Sequence, residues 1–133
     1  MSLDFSVLLP YKGLLPSALF ITIEIGVIGF ILAVCISTVV GTLRSRKLPK
    51  VIEALLGIYV EIFRCTPLLV QLFFVYYGLP SLGVRIEPVT AAIFTMGFNS
   101  GAYLSENVRG AILSVDKGQY EAAQILGYSK AQT

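Results

Sequence analysis

The sequence predicts an all-α chain, a polytopic helical membrane protein. Three observations predict it. Apolar residues make up 56% of the 133 positions and charged residues 14%, against roughly a quarter in ordinary soluble domains. The apolar residues are gathered into runs long enough to cross a bilayer, which takes about 20 residues as a helix. Polar and turn-forming residues cluster between those runs. Net charge is only +2, which gives no sign of a nucleic-acid partner. Histidine is absent, and Cys35 and Cys65 both sit in apolar stretches. Each cysteine is expected as a buried thiol acting as a small hydrophobe, with neither a disulfide nor a metal site.

Met1 to Gly13 carries Asp4 and Lys12, has no basic n-region and is followed by no close small-residue cleavage site. No cleaved signal peptide is expected; the first span directs its own insertion. That span is read over residues 14–43. Gly29, Ala33, Ser37 and Gly41 recur at steps of four and form a stripe that lets a neighbouring helix approach closely. Glu24 has two readings. Either it faces protein or a wet cavity, or the helix begins later and Glu24 sits near the outer interface, which is the favoured reading.

Arg44, Arg46, Lys47 and Lys50 then place four basic residues in seven, with no acidic residue among them. The excess marks this loop as cytoplasmic and the N-terminus as outside. The second apolar region, residues 51–79, contains Glu53, Glu61, Arg64 and Pro67. It is either one helix kinked near Pro67 or, as favoured, an interfacial segment to about Glu61 followed by a span from Ile62. Glu61 and Arg64, three apart, are expected to pair as a structural ion pair. Tyr76 and Tyr77 close the span as an aromatic belt. An outer loop from Gly78 to Pro88 follows, with turn formers at both ends and the single basic residue Arg85.

The third span is read over residues 88–115, with Pro88 in the first turn. Gly97, Gly101 and Ser105 make a second small-residue stripe. Asn99, Tyr103 and Glu106 share one face. They either line a translocation path or form a polar seam between helices, and the spacing does not separate the two. Glu106 and Arg109 are expected to form a local ion pair. Residues 116–127 make a short helix, capped by Asp116 with Gln119 three residues on and stopped by Gly127. Ser129 offers a second cap, with Gln132 three residues beyond. The short helix is about 15 Å long, too short to cross a bilayer. By itself it could be a loop helix joining two spans. Three spans starting outside leave it in the cytoplasm.

Glu121-Ala122-Ala123 followed by Gly127 resembles the EAA loop of ABC-importer permeases. Glu61-Ile-Phe-Arg64-Cys-Thr66-Pro67-Leu-Leu-Val-Gln71, running on to Tyr76-Tyr77-Gly78-Leu79-Pro80, is similar to a signature of the polar amino acid branch. Tyr103-Leu-Ser-Glu106-Asn-Val-Arg109-Gly110 fits the same branch. The blocks occur in the family's order and cover most of the chain from about residue 20. The resemblance implies a type I ABC-importer permease core of the histidine/glutamine/arginine type in a bacterial inner membrane. It implies that Gly118, Glu121, Ala122, Ala123, Leu126 and Gly127 form the coupling surface for a cytoplasmic ATPase. It also implies a second permease copy or paralogue, an extracytoplasmic solute-binding protein and a lipid surround. The family pattern continues past Thr133 with more of the loop and about two further spans, so the resemblance implies a front part of a permease with its last spans missing. No cofactor is expected in this chain: it has no Gly-rich Lys-Ser/Thr loop, so ATP and Mg would be bound by the partner ATPase. The contrasting expectation is a small membrane scaffold or regulator in which the polar face and the short helix only pack. An enzyme is disfavoured by the lack of histidine, of a dense carboxylate cluster and of a nucleophile–base pair.

Overall fold

The computed structural model describes residues 11–129 and Gln132; Asp4 and the rest of the first ten residues lie outside it. The described residues form helices and no strands. They are α1 (Leu15–Arg44), α2 (Lys50–Cys65), α3 (Leu68–Phe73), α4 (Pro88–Leu113) and α5 (Lys117–Ile125). A π-helical turn over Phe74–Gly78 and a 3₁₀ turn over Leu79–Leu82 extend α3.

The core is the seam between α1 and α4. Gly29, Ala33, Ser37 and Gly41 are buried on α1, and Gly97, Gly101 and Ser105 on α4. Both stripes expected from the sequence therefore face protein. They also fix the direction of packing. Gly29 lies beside Ile93 and Met96, Gly97 beside Leu32, Gly101 beside Ile36, and Gly41 beside Ser105 and Val108. The numbers rise together, so the two helices run parallel. Small side chains allow this close approach, and dispersion contacts between backbones hold it. The buried hydroxyls need no partner across the seam: Ser37, Thr95 and Ser105 each donate back to a carbonyl of their own helix, at 3.0, 2.7 and 2.7 Å.

Parallel packing has a topological consequence. The chain between α1 and α4 must run back the other way, and α2 with α3 does so as a broken pair bent by 105°. The break falls at Thr66–Pro67, and α2 continues unbroken through Glu61 and Ile62. The break in helix geometry lies at Pro67, where the alternative sequence reading put a kink, and none lies at Glu61. Nothing at residues 61–62 interrupts a helix, whereas Pro67 removes the N–H that Phe63 O would accept and pushes Thr66 into extended geometry, φ −106°, ψ 130°.

Among the described residues, α1 alone is long and apolar enough to cross a membrane by length and composition, and the broken α2–α3 pair meets the same measure if it is one span. α4 is as long as a span but more polar, and its polar residues Thr95, Asn99 and Ser105 are buried against protein. Much of the outer face of α1 is uncovered, including Phe20 and Phe30.

Three further expectations are corrected. Helix α1 begins at Leu15, so Glu24 lies nine residues inside it and is half-buried; a late helix start does not account for it. Arg44 is the last residue of α1 and Lys50 the first of α2, so both belong to helix ends and not to the loop. Cys35 and Cys65 are exposed. The buried stripe of α1 occupies positions 29, 33, 37 and 41, and Cys35 falls off that stripe.

Candidate functional site

Two neighbourhoods gather the polar residues. The first is the break in the α2–α3 pair. A helix interrupted at Pro67 orphans the carbonyls of its last turn, and these need other donors. Phe63 O accepts from Asn99 Nδ2 at 2.9 Å and from Gln71 Nε2 at 3.0 Å. Thr66 O accepts from Gln71 Nε2 at 2.9 Å, and Arg64 O from the Tyr103 hydroxyl at 2.9 Å. Asn99 and Tyr103 thus stand one turn apart on α4 and supply hydrogen bonds that the helix lost. An aromatic cluster backs them: Tyr59 and Phe63 of α2 meet Phe98 of α4 with ring centroids 6.3 and 5.9 Å away. Tyr59 also donates to Phe98 O at 2.8 Å.

The second neighbourhood joins the ends of α1 and α4. Arg44 Nη1 pairs with Glu106 Oε1, Arg109 Nη1 lies 3.7 Å from Glu106 Oε2, and Arg109 Nε donates to Arg44 O at 3.2 Å. The Glu106–Arg109 pair expected from sequence is therefore part of a three-residue cluster. Arg44, 62 positions from its partner, is the residue that sequence reasoning missed. Its position in a basic run gave a sufficient local reason for its charge, and no local pattern pointed to Glu106.

Between these neighbourhoods lies a cleft of about 500 Å³, lined by Arg44, Glu61, Arg64, Cys65, Tyr103 and Glu106 among others. Tyr103 and Glu106, two of the three path candidates, face it; Asn99 is buried away from it at the break. The expected Glu61–Arg64 ion pair is not formed. The Arg64 guanidinium instead lies over the Tyr103 ring, 5.5 Å from its centroid, in a cation–π contact. Tyr103 is held there by its bond to Arg64 O, so ring and guanidinium come as a unit, and this contact draws Arg64 toward α4 and away from Glu61.

The short helix α5 stands apart. Asp116 caps it by accepting from Gly118 N at 2.6 Å. At the other end Gly127 adopts φ +82°, with Tyr128 N donating to Ala123 O at 3.1 Å and Gly127 N to Gln124 O at 3.0 Å. This double closure is a Schellman stop. Beyond it, Ser129 N donates to Gln132 Oε1 at 3.0 Å; the second helix expected to open at Ser129 involves residues outside the described ones. Glu121 and Ala122 are exposed and Ala123 is half-buried. The end of the helix shows Ile125 and Leu126 at 86% and 76% exposure, an apolar tip with no cover among the described residues. Because α1 and α4 run parallel, α5 leaves the bundle at the end that carries Arg44, Arg46, Lys47 and Lys50.

The chain as a whole is similar to known membrane components of transport systems. Residues 25–133 match the family described as binding-protein-dependent transport system inner membrane component. The probable amino-acid ABC transporter permease PatM of Vibrio harveyi is 36% identical over 99% of this chain and 60% of its own length. The arginine transport system permease ArtQ of Bacillus subtilis is 38% identical over 96% of this chain and 58% of its own. The glutamine transport system permease GlnP of Escherichia coli is 36% identical over 100% and 61%. A chain in the crystal structure of an amino acid ABC transporter with histidines superposes with a TM-score of 0.83, at 35% identity, covering 98% of this chain and 61% of that one. The chain thus spans about three fifths of the length of the relatives it matches. With the match running over residues 25–133, the chain belongs to the family of binding-protein-dependent transport system inner membrane components.

Proposed function

We propose that the chain is part of the membrane subunit of an ATP-driven importer for polar amino acids. It crosses the inner membrane several times with its N-terminus outside. It works with a second permease copy or paralogue and receives substrate from an extracytoplasmic solute-binding protein. ATP is hydrolysed by a cytoplasmic ATPase, and α5 is the part of this chain which that ATPase grips. Pulling on α5 rocks the helices between outward- and inward-open states, the alternating-access scheme of transporters.

One observation carries the reading: a helix capped at both ends, bearing an apolar tip with no cover among the described residues, at the end of the bundle marked by the basic residues. Basic residues are enriched in cytoplasmic loops, and an ATPase can reach only that side. Gly118, Glu121, Ala122, Ala123, Leu126 and Gly127 make the coupling surface. The names of the relatives, with glutamine and arginine among their substrates, support the polar amino acid class.

The test is capture of the cognate ATPase by the membrane-embedded chain, with transport coupling read in the full-length permease. Gly127→Pro cannot adopt φ +82°, since proline is held near −65°. Glu121→Lys reverses an exposed charge on the docking face. Both should abolish ATPase capture and separate ATP hydrolysis from uptake. Unchanged capture and unchanged substrate-stimulated hydrolysis in both variants would refute the role of α5.

A further inference from the structure

We propose that the elbow between α1 and α2 docks on anionic phospholipid headgroups, with α2 lying across the bundle at the bilayer surface. This adds a lipid partner to the importer reading and rests on that reading only for which leaflet the elbow meets.

Arg46, Lys47 and Lys50 are exposed, and none of them makes an ion pair among the described residues. Arg44 differs, since Glu106 takes up its charge. Glu53 stands three positions from Lys50 without pairing with it, and no other acidic residue falls between Arg44 and Glu61. Helix α2 adds a second feature. Val51, Leu55, Ile58 and Ile62 recur at steps of four, three and four, so they share one face. All four are exposed. The adjoining face is turned inward: Val60 is buried, and Tyr59 and Phe63 meet Phe98 of α4. The stripe therefore points away from the bundle. The break at Pro67 sets the direction of α2. It lies at 105° to its continuation through α3, so it crosses the bundle where α3 runs along it. A crosswise helix that is apolar on its outer side and begins among unpaired cations has the features of one resting at the boundary of headgroups and acyl chains. An anionic lipid satisfies both features, with acyl chains for the stripe and phosphate for the cations. A nucleic acid would leave the stripe in water, and an apolar protein helix would leave the cations unmatched.

The test uses the chain in nanodiscs of equimolar phosphatidylglycerol and phosphatidylcholine, with the same mixture in both leaflets. Native mass spectrometry counts the lipids retained on release from the disc. Phosphatidylglycerol should be retained about fivefold or more over phosphatidylcholine, the effect of at least one basic residue at a charged surface. Replacing Arg46, Lys47 and Lys50 together by glutamine should bring that ratio close to one. Lys47→Arg with Lys50→Arg keeps the charges and should keep the ratio, as should Arg85→Gln at the opposite end of the bundle. A second reading locates the stripe. In a Cys35→Ser, Cys65→Ser background, a nitroxide is placed at Leu55→Cys or at Glu53→Cys. The first should be relaxed by lipid-soluble oxygen and the second by a water-soluble nickel chelate. No preference for phosphatidylglycerol, a preference that survives the triple substitution, or an equal loss in Arg85→Gln would overturn the headgroup site. A Leu55 label shielded from both reagents would show protein over the stripe and overturn the lipid docking. Because the two leaflets are alike, the retention ratio does not depend on which end is cytoplasmic. ATPase capture through α5 reads the importer assignment separately. Capture without lipid preference defeats only the elbow site; lipid preference without capture defeats only the importer reading.

Discussion

Gly41 and Gly26 are both helical glycines of α1, and their surroundings set opposite expectations for alanine. A Cβ at Gly41 would stand 2.7 Å from Ser105 O and 2.7 Å from Val108 Cβ, and one of the two contacts is backbone that cannot swing aside. A Cβ at Gly26 meets nothing within 4 Å. Gly41→Ala should therefore cost about 1–3 kcal/mol through overpacking. Gly26→Ala should be neutral or stabilising by up to about 1 kcal/mol, because alanine is the better helix former. Detergent-titrated unfolding followed by circular dichroism measures both. The sequence already distinguishes the two glycines: Gly41 belongs to the four-step series with Gly29, Ala33 and Ser37, and Gly26 does not. Arg44 shows the opposite case. Its bond to Glu106 joins residues 62 positions apart, and only the packing of α1 on α4 brings them together.

At the scale of elements, the break between α2 and α3 is held by borrowed donors. Asn99 is 9% exposed, so removing its amide leaves Phe63 O with Gln71 as its one remaining donor in a dry seam. Tyr103 is 47% exposed, so water can replace its hydroxyl at Arg64 O. Asn99→Ala should cost about 1–3 kcal/mol, and Tyr103→Phe about 0.5–1.5 kcal/mol or less. The same unfolding assay ranks them, and an equal cost would show that the seam is wetter than its burial implies. Pro67 announced the interruption in the sequence. Its angle of 105° was not legible there, because it depends on donors from α4 that lie 36 and 39 positions away in the chain. The caps of α5 were legible for the converse reason: Asp116 and Gly127 act on backbone groups within five residues of themselves. The free Glu61 and Arg64 were hidden in the sequence, where spacing of three suggests a mutual pair; the competing attraction of the Tyr103 ring comes from another helix.

At the scale of the molecule, the parallel seam of α1 and α4 is what gives α5 its place. It puts the basic residues 44–50 and the exposed tip Ile125–Leu126 at one end, and the turn around Gly83 at the other. The central claim is that the first end is cytoplasmic and presents α5 to an ATPase. The direct measurement is site-specific labelling in intact cells. Cys35→Ser and Cys65→Ser remove the native thiols, and single cysteines are placed at Ser45, Ser81 and Gln119. A membrane-impermeant maleimide added outside should label position 81 and leave 45 and 119 untouched until the membrane is opened. External labelling of position 119, or labelling of 45 and 119 from opposite sides, would contradict the account.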